Sequence, residues 1–251
     1  MSGDHLPLQS PIDLGYALPI TLNISPSSVA IDWDSVVDGE IRMGDHGYEV
    51  FFDGSTATMD VQLPGKAQAT RFELWKLHFH HESEHRISGV RSPLELHIVH
   101  KTNEPDPFKD GQTREIYAVI GVMVEGGGVK GKSDETLRKL IDWIKSAELT
   151  ESTDKTKSTR LHDPLDPNDL VPFDSTTPIT DQPLWRYEGS LTSNTQKPNG
   201  GFVSWVVLQP KLQVTDETLE EWKALKHEAK GSQDLDRRFV FFNPGKSSSV
   251  A

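Results

Sequence analysis

The chain of 251 residues contains no cysteine, which excludes disulfides and every metal site built on thiolates. A reducing compartment fits this absence, and secretion is not excluded by it. No stretch approaches the roughly 18 apolar residues that a membrane span needs, and the opening MSGDHLPLQS lacks the basic start and apolar run of a signal peptide. A soluble protein is expected, with cytoplasmic placement and secretion after loss of a leader both left open. Basic residues are scarce relative to acidic ones: 26 Lys and Arg stand against 38 Asp and Glu, a formal charge of −12. No basic run interrupts that balance, so neither nucleic acid nor an anionic membrane is expected as a partner. Internal repeats are absent as well.

What is present is β-rich. YEVFF, ATMDVQL, RFELWKLHFH, LELHIVH, IYAVIGVMVE, FVSWVVLQ and RRFVFF are separated by Gly, Pro, Asn and Asp, the residues of turns. Two helices are predicted among them. SDETLRKLIDWIKSAEL offers Ser133 as N-cap and puts Leu137, Leu140, Ile141 and Ile144 on one helical face; TDETLEEWKALKHEA repeats the design with Thr215, Leu219, Trp222 and Leu225. The polar, proline-rich segment 146–178 reads as a long surface loop inside one domain. A single mainly β (α+β) domain over 1–251 is expected, with its core at about 9–244 and a flexible tail at 245–251.

Six of the ten histidines fall within residues 74–100. Such a cluster is a metal site, a proton relay or a coincidence of a polar strand. If 72–80 is a strand, its period of two puts Phe72, Leu74, Lys76, His78 and His80 on one face and Glu73, Trp75, Leu77 and Phe79 on the other. In LELHIVH, the same rule sets Glu95, His97 and Val99 against Leu94, Leu96, Ile98 and His100. Antiparallel neighbours joined through ISGVRSP bring a third imidazole beside the first two. Three neutral imidazoles suit divalent zinc and leave a fourth position open, the arrangement of catalytic zinc. His78, His80 and Glu84 also match the first motif of cupins, HxH, three residues and Glu. Arg91 stands where that motif has glycine, however, and no Pro-Gly-His-Asn follows.

The likeness to another family runs much further. QSPIDL, HFH with SEH, ELHIVH, YAVIGVMVE, YEGSLT and VSWVVL resemble, in order from Gln9 to about Pro244, segments of the α-class carbonic anhydrases. The resemblance implies a large, twisted, mostly antiparallel central sheet with short surface helices. It implies zinc-dependent, reversible hydration of carbon dioxide to bicarbonate and a proton by zinc-bound hydroxide, and binding of sulfonamide- or anion-type inhibitors. The alternative is a carbonic-anhydrase-related binding module that keeps the fold and has lost the chemistry. Nothing in the residues specifies an oligomeric state.

By the same resemblance, His78, His80 and His97 are the Zn2+ ligands, and Glu95 accepts the imidazole N–H of His97. Thr192 accepts a hydrogen bond from the zinc-bound hydroxide and passes its own proton to Glu84. Ser193 lines the cavity; Val99, Val119, Leu191, Val203 and Trp205 match the apolar substrate pocket; His46 falls where fast members keep a proton shuttle. His81, His85 and His100 read as structural or exposed. Lys76 departs from the family: it replaces a glutamine whose carbonyl accepts the N–H of the first zinc histidine, a task an ammonium cannot perform. It is expected to bend outward, leaving His78 to be oriented by water or another carbonyl. The loop SNTQKPNGGF is about three residues longer than usual, and Asn243 replaces an arginine near NP.

Overall fold

The computed structural model describes residues 8–15, 20–21, 28–33, 37–44, 47–52, 54–107, 109–147, 149, 158–192, 202–225, 229–235 and 238–246. His46, Ser193 and the tail 247–251 lie outside these residues. Among the described residues, thirteen strands form one sheet: β1 Ile20–Thr21, β2 Val29–Asp32, β3 Glu40–Gly44, β4 Gly47–Phe51, β5 Thr58–Val61, β6 Thr70–His81, β7 Leu94–Pro105, β8 Thr113–Glu125, β9 Ser158–Arg160, β10 Leu184–Gly189, β11 Val203–Leu208, β12 Leu212–Gln213 and β13 Val240–Asn243. Every β-rich stretch picked out in the sequence contributes a strand. The main path of the sheet runs β1-β13-β10-β11-β8-β7-β6-β4-β3-β9, with β12 on β8 and the β2–β5 pair on β6. The contacts of β8 with β11 and β12, and of β1 with β13, are parallel; the remaining pairs are antiparallel.

The long strands β6, β7 and β8 are buried on both faces. That is why β8 reads as a nearly unbroken apolar run instead of an alternation. One face carries the larger core, in which Phe79, Leu96, Ile98 and Ile120 pack with Leu137, Leu140, Leu219 and Trp222 of the helices. The other holds a smaller apolar cluster around Val99, Val119, Tyr187 and Trp205. The period of two in β7 sends Leu94, Leu96 and Ile98 to the first face and Val99 to the second, as predicted.

In β6 the predicted alternation fails. A bulge shifts the β6–β7 register between Leu74, opposite His100, and Lys76, opposite Val99. The extra residue, Trp75, breaks the period. Phe72 and Leu74 therefore join Leu77 and Phe79 in the larger core, while Trp75 packs on the smaller cluster.

Helix α1, Lys132–Ser146, buries Leu137, Leu140, Ile141 and Ile144 as its spacing requires, but Ser133 does not cap it. Gly131 is the N-cap and makes no side-chain cap bond. Asp134 in the first turn reaches across instead, accepting from Thr215 N at 2.9 Å and Thr215 Oγ1 at 2.8 Å. Helix α2, Asp216–Ala224, is capped by Thr215 as predicted and stops at Ala224, short of the predicted end. Segment 146–178 is more than a surface loop: β9 pairs with β3, and Leu149, Leu165 and Leu170 are buried in the larger core. Among the described residues, no helix is long and apolar enough to cross a membrane.

Candidate metal centre

The β6–β7 register sets His78 directly opposite His97 and His80 opposite Glu95. Cross-strand partners point to the same face, so two imidazoles from β6 and one from β7 converge beneath the smaller apolar cluster. Their ring centroids lie 4.8 Å (His78–His80), 5.1 Å (His78–His97) and 4.7 Å (His80–His97) apart. One nitrogen from each ring lies within 4.8 Å of the others, and all three residues are buried. A compact, buried set of three imidazole nitrogens fits a zinc ion with one position left open.

Glu95 orients one member of this set, His97. Its Oε1 lies 3.0 Å from His97 Nε2 and 2.6 Å from His85 Nδ1, and its Oε2 accepts from His85 N at 2.9 Å. Burial alone would push the carboxyl up, but the hydrogen bonds from His85 and His97 hold it well below the usual carboxylate range. An ionised carboxylate only accepts, so both ring nitrogens facing it carry protons. His97 Nε2 is thus a donor, and in the neutral imidazole Nδ1 is the bare nitrogen, on the side of the other two imidazoles. Gly121 stands opposite His97, and a Cβ there would come within 3.0 Å of Glu95 Oε1. Glycine keeps that approach open.

His85 was expected to be structural or exposed, and it is fully buried in this network. With Nδ1 protonated toward Glu95, its Nε2 accepts from the Tyr187 hydroxyl at 2.6 Å, and Ser10 Oγ lies 3.1 Å from that hydroxyl. The chain from His97 thereby reaches the N-terminal segment through Glu95, His85, Tyr187 and Ser10. Periodicity could not find His85 or Tyr187, because His85 lies in the turn after β6 and its partner is 102 positions away. His81 is exposed. His100 is buried in the opposite face, stacked on Trp33 and accepting its Nε1–H at 3.0 Å; burial pushes its pKa down to about 3.

Val99, Val119, Val203 and Trp205 are buried together, and Leu191 packs against them. The Trp205 ring stands 4.9 Å from that of His97, so His97 faces this apolar wall. Thr192, also buried, follows β10. Glu84 is buried at the same centre: Oε1 accepts from Lys230 N at 2.8 Å, and Oε2 lies 3.4 Å from His80 Nε2 and 3.8 Å from His97 Nδ1. The structure does not join Thr192 and Glu84 by a hydrogen bond.

The family model for eukaryotic-type carbonic anhydrase matches residues 5–241. The chain belongs to this family. It is 28% identical over 243 residues to carbonic anhydrase 1 of Monodelphis domestica, covering 92% of this chain and 82% of that relative. Among solved structures, it resembles the α-carbonic anhydrase of Thermovibrio ammonificans in complex with sulfanilamide, at 26% identity and a TM-score of 0.65, over 93% of this chain and 86% of that one. Dioscorin in complex with ascorbate shares the fold, with a TM-score of 0.70 at 23% identity over 96% of this chain and 87% of that one.

In this carbonic anhydrase chain, Lys76 stands two residues before His78 on β6. Its ammonium does not bend out into solvent; it turns sideways along the sheet to Glu49 Oε1, 2.8 Å away. Asn243 donates to the carbonyls of Thr180 at 2.8 Å and Gln182 at 3.1 Å and ties β13 to the loop before β10. The loop after Thr192, expected to be longer than usual, lies mainly in residues 193–201, outside those described.

Proposed function

We propose that this chain is a zinc enzyme that interconverts carbon dioxide and bicarbonate, with His78, His80 and His97 as the metal ligands. The observation that supports this reading is the buried triad, whose nitrogens lie within 4.8 Å of one another, with Glu95 Oε1 3.0 Å from His97 Nε2. Zinc held there supplies a nucleophile at neutral pH by lowering the pKa of water to about 7, a value that belongs to carbonic anhydrase as the general reference case for such zinc.

The remaining work falls to side chains. Glu95 accepts from His97 Nε2 and so keeps Nδ1 unprotonated toward the metal. Val99, Val119, Leu191, Val203 and Trp205 offer an apolar wall where carbon dioxide rests without competition from water. Glu84 is the acceptor proposed for the Thr192 hydroxyl proton, which leaves Thr192 Oγ1 able to accept and to orient the attacking oxygen. His46 is proposed to carry the product proton to buffer, and Ser193 to line the cavity. Sulfonamides or small anions are proposed as inhibitors at the same place, and one domain is proposed to hold the whole site.

Metal analysis with stopped-flow carbon dioxide hydration tests the reading. The expected result is about one tightly held zinc per chain and hydration above buffer, both lost in His97→Ala. Protein that binds no zinc, or binds zinc without hydration, is a binding module with the carbonic anhydrase fold.

A further inference from the structure

Beside His78 lies a buried charge pair. In the β4–β6 ladder, Glu49 stands opposite His78 and Phe51 opposite Lys76, so Glu49, Phe51, Lys76 and His78 share one face. Lys76 Nζ lies 2.8 Å from Glu49 Oε1, with the two side chains only 13% and 4% exposed. The ammonium also sits 4.8 Å from the Trp75 ring centroid and 5.6 Å from that of Phe51. It is thus held by a carboxylate and two aromatic faces.

Gly44 makes this placement possible. A Cβ at Gly44 would stand 2.2 Å from Glu49 Oε2 and 2.3 Å from Glu49 Cδ. The carboxylate lies in the space left by the missing side chain, so any larger residue at 44 would evict it without altering a charge.

We infer that Glu49 is a positioning residue for the metal centre: it neutralises Lys76 and holds the ammonium off the three imidazoles, so that Glu49, Lys76 and Gly44 act as one unit. The inference rests on the zinc reading proposed above. An isolated ammonium two residues from His78 opposes a divalent cation through a poorly screened interior, whereas a tight ion pair presents only a dipole, whose field falls off faster. Lysine is compatible with a zinc ligand two residues away because the opposite charge stands on the neighbouring strand.

The test is a double-substitution cycle on the full chain, read by zinc affinity in competition with a chelator and by the visible spectrum of the cobalt-loaded protein. Glu49→Gln strands the ammonium and is expected to weaken zinc binding by about tenfold, the low end of the range for outer partners of a metal site. Lys76→Gln leaves a carboxylate beside the metal and is expected to strengthen binding. The double variant is expected to return to within about threefold of the parent, because neither charge remains. Gly44→Ala should follow Glu49→Gln, with the cobalt spectrum shifted in both. A mere structural brace would weaken zinc binding alike in both single variants. That outcome, or Glu49→Gln within about twofold of the parent, overturns the inference while leaving the zinc reading intact. Parent protein that takes up no zinc overturns the zinc reading itself, and with it any role of the pair toward a metal.

Discussion

Glu95→Gln conserves volume and removes one charge, and the geometry fixes its consequences. The carboxylate accepts three N–H groups in a fully buried position: His85 Nδ1 at 2.6 Å, His85 N at 2.9 Å and His97 Nε2 at 3.0 Å. Glutamine has one oxygen to offer. Placed toward the two imidazoles, that oxygen leaves the amide NH2 against the His85 backbone N–H, two donors face to face with no acceptor. Leaving such a buried donor unsatisfied costs about 1–3 kcal/mol. Flipped, the NH2 confronts both rings and His97 must surrender its Nε2 proton to Nδ1, the nitrogen needed by the metal. Either way, His97 loses the ionised partner that raises its basicity. Unfolding free energy of the metal-free protein should therefore fall by about 1–3 kcal/mol in urea titrations, and zinc affinity by about 10–100-fold in chelator competition. A stability loss of that size with zinc affinity unchanged would refute the tautomer argument and leave Glu95 a structural brace.

Three further outcomes are expected. Burial pushes Glu188 from its ordinary 4.5 up to about 7, opposed by the charge of Arg186 and a hydrogen bond from Ser204. A raised folded-state pKa gives stability that is complete below pH 4.5 and lost as pH rises through 7. Glu188→Gln, which does not titrate, should gain on the parent by about 2–3 kcal/mol between about pH 5 and pH 8, and equal differences at both pH values in urea titrations would contradict this. Asp134→Ala removes the acceptor shared by Thr215 N and Oγ1 between α1 and α2; a loss of about 1–3 kcal/mol is expected from chemical denaturation, and an unchanged midpoint would show that the link contributes nothing. His100→Phe deprives the buried Trp33 Nε1–H of its acceptor and should cost about 1–3 kcal/mol of stability with zinc affinity unaltered, since His100 faces the opposite core; a fall in zinc affinity would tie it to the centre.

Much of the site was legible because strand geometry is local. A spacing of two puts His78 and His80 on one face whatever the rest of the chain does, and the same rule places His97 with Glu95 and Val99. The bulge at Trp75 was not legible. It slips the register by one residue, and with apolar residues required on both faces of β6, the pattern of Leu74, Trp75 and Leu77 reads equally well with or without it. Segment 146–178 hid its buried leucines for a related reason: isolated Leu149, Leu165 and Leu170 have no period to reveal them. Ser133 was misplaced as a cap because the helix starts earlier, at Lys132 behind Gly131, which puts Ser133 inside its first turn.

The sequence by itself determined that His78 and His80 share one face of their strand and that Glu95, His97 and Val99 share one face of theirs, because side-chain direction along an unbroken strand follows from covalent geometry and needs no partner. Only the tertiary structure decided what stands behind those residues. His85 and Tyr187 meet Glu95 through contacts that no local pattern encodes. Glu49 reaches Lys76 from a neighbouring strand across the space that Gly44 leaves. Buried charges and donors must find partners wherever the fold brings them, and at this centre those partners lie on other strands and loops.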